Sequence, residues 1–185
     1  MDYVVFAEQS GLLDFLQNKV NRSLVDYVYG VEAGLDSNAR KNRSGTIMEG
    51  NLKRHVAKIA QKQGLKWKAQ ATASFIKSNW GIEVLVDKSE RRFDVAVYSR
   101  ERHKVWLIET NYYGGSGSKL KAVAGEFTKL NQFIKELKDD IEFIWVTDGQ
   151  GWKTTHLPLS EAFEHIQNVF NLNMLKNNFM RELLK

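Results

Sequence analysis

The spacing of apolar and polar positions divides the chain into elements. Helical spacing predicts an amphipathic helix near Leu12–Val28 and a second from about Thr46 to Gln63, its start within reach of a Ser44 or Thr46 cap. Between them "GLDSNARKNRSG" reads as a polar loop. Short runs at Ala73–Lys77 and Gly81–Val86 read as strands. "RRFDVAVYSR" and "KVWLIETNYY" alternate on either side of the polar run "SRERHK" and predict a hairpin. "SKLKAVAGEFTKLNQFIKEL" predicts a long amphipathic helix, "IEFIWVTDG" a strand apolar enough to be buried, and "LSEAFEHIQNVFNLNMLKNNFMRELLK" a helical end. A strand reached through a crossover helix returns parallel to its predecessor, so this order predicts an α/β fold with a mixed central sheet flanked by helices.

The hairpin has a register that can be worked out. Centring its turn between Glu101 and Arg102 sets Ala96 against Leu107, Val97 against Trp106 and Asp94 against Glu109. Directly opposed Cβ atoms lie about 5 Å apart, and like charges so placed repel. A divalent cation between the two carboxylates reverses the sign of that interaction. Two solvated acids near a strand end, or a slipped register, would account for the same residues. Asn111, two positions beyond Glu109, falls on the same face.

The segment that follows, "GGSGSKLK", sits between a strand and a helix. Its glycines and Ser116 and Ser118 let backbone N–H groups turn toward an anion at a helix N-terminus. Ser118-Lys119-Leu120 departs from the Gly-Lys-Ser/Thr of a nucleotide-binding P-loop. With Lys119 and Lys121 beside it, the loop suits a phosphate backbone, although a plain turn has the same composition. "GLDSNARKNRSG" brings together Asn38, Arg40, Lys41, Asn42 and Arg43. These are residue types that read guanine and adenine edges, and a charged connector is the bland alternative.

Composition narrows the classes. The chain has 185 residues, 43% of them hydrophobic, with five tryptophans and one proline, which suits a single folded domain over residues 1–185. Cysteine is absent, which removes disulfide frameworks and zinc–cysteine sites. No run approaches the roughly 18 apolar residues of a membrane span, and "MDYVVFAEQSG" does not resemble a signal peptide. A cytoplasmic protein without membrane contact is expected. The net charge of +5 and a pI near 9.3 tilt the partner toward an anion such as nucleic acid without deciding it.

An Asp, a gap, then Glu-x-(Lys or a polar substitute) on adjacent strands resembles the core of the PD-(D/E)xK nucleases. More narrowly, "FDVAVYSRERHKVWLIETNYYGGSGSKLKAVAGEF", "GLDSNARKNRSGTIMEG", "FIWVTDGQGW" and "NLNML" resemble the DpnII/MboI-type restriction endonucleases, from about Tyr27 to Leu175. The resemblance implies a PD-(D/E)xK core and Mg²⁺-dependent hydrolysis of both strands of double-stranded DNA at a short palindrome, GATC in that family. It implies Asp94, Glu109 and the Thr110 carbonyl as metal ligands, hard oxygen donors that suit Mg²⁺. Glu49, on a helix preceding the sheet, is implied as a further acid of the site. Asn111 stands where the superfamily has lysine; an amide takes up no proton near neutrality, so it would hold the attacking water while Lys119 is the first candidate to accept a proton. Lysine at 111 is accordingly expected to be better tolerated than leucine. A palindrome cut in both strands implies a homodimer on DNA, with Phe163, Ile166 and Phe170 as a dimer face or as core. The chain is shorter at its N-terminus than the family pattern, which points to an absent outer helical region. A repair or nicking nuclease with a partner subunit, or a non-cleaving DNA-binding protein, would share the fold.

Overall fold

A computed structural model describes residues 4, 8, 14, 17, 24–84, 91–115, 117–137, 140–177 and 179–184, without the side chains of 24–43 and 179. The chain forms two compact units, Met1–Asn42 and Arg43–Lys185. In the first, Val4, Glu8, Asp14 and Gln17 are helical. Helix α1 covers Leu24–Gln63. The expected polar loop at 34–45 is therefore helical. Polarity alone does not break a helix: the segment lacks proline, and its two glycines cost about 1 kcal/mol each. The later turns also bury Met48, Leu52 and Val56 at four-residue spacing, which anchors them to the sheet. At the far end Gly64 adopts a left-handed φ of 66°, and Leu65 N–H donates to Ala60 O at 3.0 Å, closing the helix.

Strand β1 covers Lys66–Thr72. Its lysine-rich, exposed sequence hides it from a reading based on apolar runs, and it lies at the sheet edge, where lysines are at home. The run at 73–77 expected as a strand is instead helix α2, Ala73–Trp80. Thr72 caps its start by accepting from Phe75 N–H at 3.2 Å, and Gly81 ends it with φ 73°. Ile76 and Trp80, one turn apart, are its buried residues. Residues 81–84 form no strand, and Leu85 and Val86 lie outside the described residues.

The hairpin of β2, Arg92–Ser99, and β3, Lys104–Tyr112, takes the predicted register, with Ala96 against Leu107 and Val97 against Trp106. Helix α3, Ser118–Lys135, crosses over to β4, Asp140–Asp148, which pairs parallel to β3. A short 3₁₀ turn, Gln150–Lys153, leads to α4, His156–His165. The C-terminal segment then departs from the continuous helix expected of it. Strand β5, Val169–Phe170, adds parallel to β4 before α5, Leu172–Lys176, and α6, Phe179–Leu183. Asparagines explain the break. The Asn168 side chain donates Nδ2–H to Glu142 Oε1 of β4, and the Asn171 side chain caps α5 through Met174 N–H at 2.9 Å.

The mixed sheet, ordered β1-β2-β3-β4-β5, thus has helices on both faces, as the α/β reading expected. One face packs Ala96, Leu107, Phe143 and Trp145 against Leu120, Phe127 and Leu130 of α3. The other packs Val97, Ile108, Ile144 and Val146 against Met48, Leu52 and Val56 of α1. Successive residues of β3 and β4 go to opposite faces, so both strands are buried on two sides. Among the described residues no helix is long and apolar enough to cross a membrane.

Candidate active site

The predicted acid pair meets where β2 begins and β3 ends. Regular β2–β3 pairing stops at Val95 and Ile108, one residue short of Asp94. The Asp94 carboxylate then takes over the contact to β3, accepting Thr110 N–H on Oδ2 at 2.8 Å. Its other oxygen accepts Gln70 Nε2 from β1 at 3.2 Å. Burial raises the Asp94 pKa against the Thr110 hydrogen bond; the Glu49 charge adds to the rise, and Gln70 and Lys53 oppose it.

Glu109 is more strongly perturbed. Burial, then the neighbouring Asp94, push its pKa up to about 8, with Glu126 adding to the rise and Arg91 opposing it. Arg91 is itself buried, with Nε 3.8 Å from Glu109 Oε1 and Nη2 3.0 Å from Glu126 Oε1 on α3. Near neutral pH the acid pair therefore retains a proton. Helix α1 supplies Glu49, whose Oε2 pairs with Lys53 Nζ at 3.2 Å one turn on.

Asn111 is locked from the parallel neighbour β4. Its Oδ1 accepts Trp145 Nε1–H at 3.2 Å and Thr147 Oγ1–H at 2.7 Å, and Thr147 Oγ1 in turn accepts Trp152 Nε1–H at 2.9 Å. Two donors on one oxygen fix the orientation of the amide, which leaves Nδ2 as the group on offer. Asn111 thus presents a donor.

The glycine loop is held at its start. Tyr113 N–H donates to Asp148 O and Tyr113 O accepts Gly151 N–H, both at 2.9 Å. A Cβ at Gly151 would fall 2.3 Å from the Gly115 carbonyl oxygen, so glycine is required there. Asp148 organises the same corner, its Oδ1 accepting Gly149 N–H at 2.6 Å and its Oδ2 Leu172 N–H at 3.0 Å.

The other expected residues are placed as follows. Ser118, Lys119 and Lys121 lie in the first turn of α3, exposed, and make no side-chain hydrogen bond or ion pair among the described residues. Ser116 lies outside the described residues. Asn38, Arg40, Lys41, Asn42 and Arg43 lie on helix α1 and not on a loop, with their side chains outside the described set. The structure brings together Asp94, Glu109, Thr110 and Glu49. It adds four residues that sequence reasoning did not assign: Gln70, Lys53, Arg91 and Glu126. The Glu49–Lys53 spacing was a signal available for one of them; the others come from distant elements.

Among the described residues no three His, Cys, Asp or Glu side chains converge as a metal cage. The donors fit a hard cation that keeps much of its water shell. The Asp94 charge is close enough to raise Glu109, and on the next residue of β3 the buried Thr110 Oγ1 has no hydrogen-bond partner among the described residues.

A mixed α/β sheet with an acid pair on adjacent strands, one acid fastened to a backbone amide, defines the class. The chain belongs to the DpnII restriction endonuclease family, whose model matches residues 1–182. It is 74% identical over 184 residues to the Type II restriction enzyme LlaDCHI of Lactococcus lactis subsp. cremoris, covering 100% of this chain and 60% of that protein. It is 46% identical over 183 residues to the Type II restriction enzyme MjaIII of Methanocaldococcus jannaschii, covering 98% and 63%. It is 33% identical over 186 residues to the Type II restriction enzyme DpnII of Streptococcus pneumoniae, covering 98% and 64%. The chain thus spans about 60% of the length of these curated relatives. No solved structure matches it.

Proposed function

We propose that this chain carries the catalytic site of a sequence-specific endonuclease that hydrolyses both strands of double-stranded DNA at a short palindrome, GATC, with Mg²⁺. The observation that carries the reading is the contact between Asp94 and Glu109: burial raises the pKa of both, and the Asp94 charge raises Glu109 further. Asp94, Glu109 and the Thr110 carbonyl would hold the cation, with Glu49 beside them. Bound there, a divalent cation lowers the pKa of coordinated water and neutralises charge on the scissile phosphate.

The chain's own residues do the rest. Thr110 N–H and Gln70 hold Asp94 in one rotamer, while Arg91, itself fastened by Glu126, lies against Glu109. Glu109 would serve as a ligand in its ionised form, its proton released to solvent. Asn111 Nδ2 donates to the attacking water or to a phosphate oxygen, and cannot take a proton from either. Lys53, whose charge is felt at Asp94, is the lysine of the site, ahead of the exposed Lys119. We assign Lys53 to the attacked phosphate. Lys119, Lys121, Ser116 and Ser118 are assigned to the DNA backbone, and Asn38, Arg40, Lys41, Asn42 and Arg43 to DNA contact from helix α1.

Cutting both strands with one acid pair per chain calls for two chains on the palindrome. Of the apolar residues named for that face, Ile166 is core and Phe170 packs against the core on the other side of the sheet, while Phe163 is 55% exposed. The test is incubation of the purified protein with plasmid DNA and Mg²⁺, followed by sequencing of the ends. Ends at a single palindrome are expected; intact DNA, or ends without sequence preference, would overturn the reading.

A further inference from the structure

Gln70 sits in β1 with a left-handed backbone, φ 51°, a conformation that L residues adopt at a cost and strands do not use. Its neighbours pair regularly with β2, Ala69 against Val95 and Ala71 against Phe93, so no residue has been inserted. Only the rung between Gln70 and Asp94 is missing from this ladder. The residue is exposed, so core packing does not impose the strain. Glycine or asparagine would fill such a position more cheaply. What the glutamine gains is one contact, Nε2–H donated to Asp94 Oδ1 at 3.2 Å. Thr110 N–H holds the other carboxylate oxygen at 2.8 Å, so the acid is gripped from the strands on both sides.

We propose that Gln70 is a positioning residue for the cation site: its left-handed backbone removes one rung of the β1–β2 ladder and turns the carboxamide onto Asp94. The contact orients the carboxylate toward Glu109 before any cation binds. This inference rests on the reading of Asp94 and Glu109 as cation ligands. Outer partners of metal ligands typically influence affinity by about 10- to 100-fold.

The test uses the purified chain with Mn²⁺ as the probe metal, free Mn²⁺ being counted by electron paramagnetic resonance. Wild type, Gln70→Gly, Gln70→Ala and Asp94→Ala are compared, with melting temperatures and plasmid cleavage measured alongside. Gln70→Gly relieves the strained φ, whereas Gln70→Ala keeps it, and both delete the carboxamide. Both variants are expected to weaken Mn²⁺ binding by about 10-fold or more. Gln70→Gly should melt no lower than wild type, and the metal concentration for half-maximal cleavage should rise in parallel with KM for DNA unchanged. Gln70→Gly binding Mn²⁺ like wild type would overturn the proposal. So would metal affinity that follows melting temperature across the variants, which would make the residue purely structural. Wild type and Asp94→Ala binding Mn²⁺ alike would locate the failure in the cation-site reading itself.

Discussion

Replacing Glu109 with glutamine separates the stability of this protein from its chemistry. In the folded chain the Glu109 carboxyl titrates at about 8, against 4.5 when exposed. Between those values the folded state holds a proton that the unfolded chain has released, so stability falls as pH rises through the window. The full penalty is present above about pH 8, and at 1.36 kcal/mol per pKa unit its upper bound is about 5 kcal/mol. Side-chain relaxation and water entry reduce this, and about 2–3 kcal/mol is a reasonable expectation. The replacing carboxamide has no charge to bury and can still accept a hydrogen bond, and Arg91 keeps Glu126 at 3.0 Å. Glu109→Gln should therefore melt about 5–10 °C above wild type near pH 9 in chelator, with little difference near pH 5. Adding Mg²⁺ should raise the wild type and leave the variant unmoved, and the variant should not cut DNA. Calorimetric melts across pH read the effect directly. A variant that melts no higher than wild type near pH 9, or whose gain is the same at every pH, would refute the buried, repelled carboxyl.

Three further outcomes follow from the assigned roles. Asp94→Ala should abolish cleavage and leave DNA binding in a gel-shift assay intact, because it removes a cation ligand and no basic surface; near wild-type cutting would contradict the site. Lys119→Ala should weaken DNA binding and reduce the slope of log affinity against log salt by about one, the mark of one lost phosphate contact; an unchanged slope would detach the glycine loop from the backbone. Sedimentation with a duplex bearing the palindrome should show two chains per duplex, whereas a one-to-one complex that accumulates nicked DNA would remove the dimer.

Most of the sheet could be read from the sequence because its signals are local. A single polar run between two alternating segments allows one centred turn, and the observed pairing of Val97 with Trp106 follows from it. An apolar strand after a crossover helix has one favourable direction, which β4 takes. Helix α1 is harder to read because a polar run resembles a break, although nothing in 34–45 forbids a helix. Helix α2 is announced by Thr72 and Gly81, two cap signals that outweigh a short apolar run. In the site, Asp94 and Glu109 are legible because one hairpin carries both. Gln70 and Glu126 are not: the first depends on a backbone angle, and the second on where α3 lands against the sheet; Arg91, beside the hairpin, shows its role only through its contacts with Glu109 and Glu126.

Asn111 shows most directly how a long-range neighbour decides what a site can do. Lysine there would restore the superfamily residue, and the sequence alone favours it over leucine. The structure argues the reverse. Trp145 is fully buried and Thr147 nearly so, and both point donors at Asn111 Oδ1. Thr147 can turn its hydroxyl, but Trp145 Nε1–H has one direction and no substitute acceptor on the residue that replaces Asn111. Either leucine or lysine strands that donor, at about 1–3 kcal/mol. Lysine also presses an ammonium against it and must desolvate the charge. Aspartate keeps an acceptor for both donors, at the cost of the Nδ2 donor and of a third carboxyl near Glu109. Asn111→Asp should therefore melt within a few degrees of wild type yet cut slowly, Asn111→Leu should melt lower, and Asn111→Lys lowest of the three. Melting curves at a fixed pH with single-turnover cleavage rates on one duplex give both rankings. A lysine variant that melts like wild type and cuts faster than the leucine variant would show that β4 does not lock the amide, and the donor role of Nδ2 would fall with it.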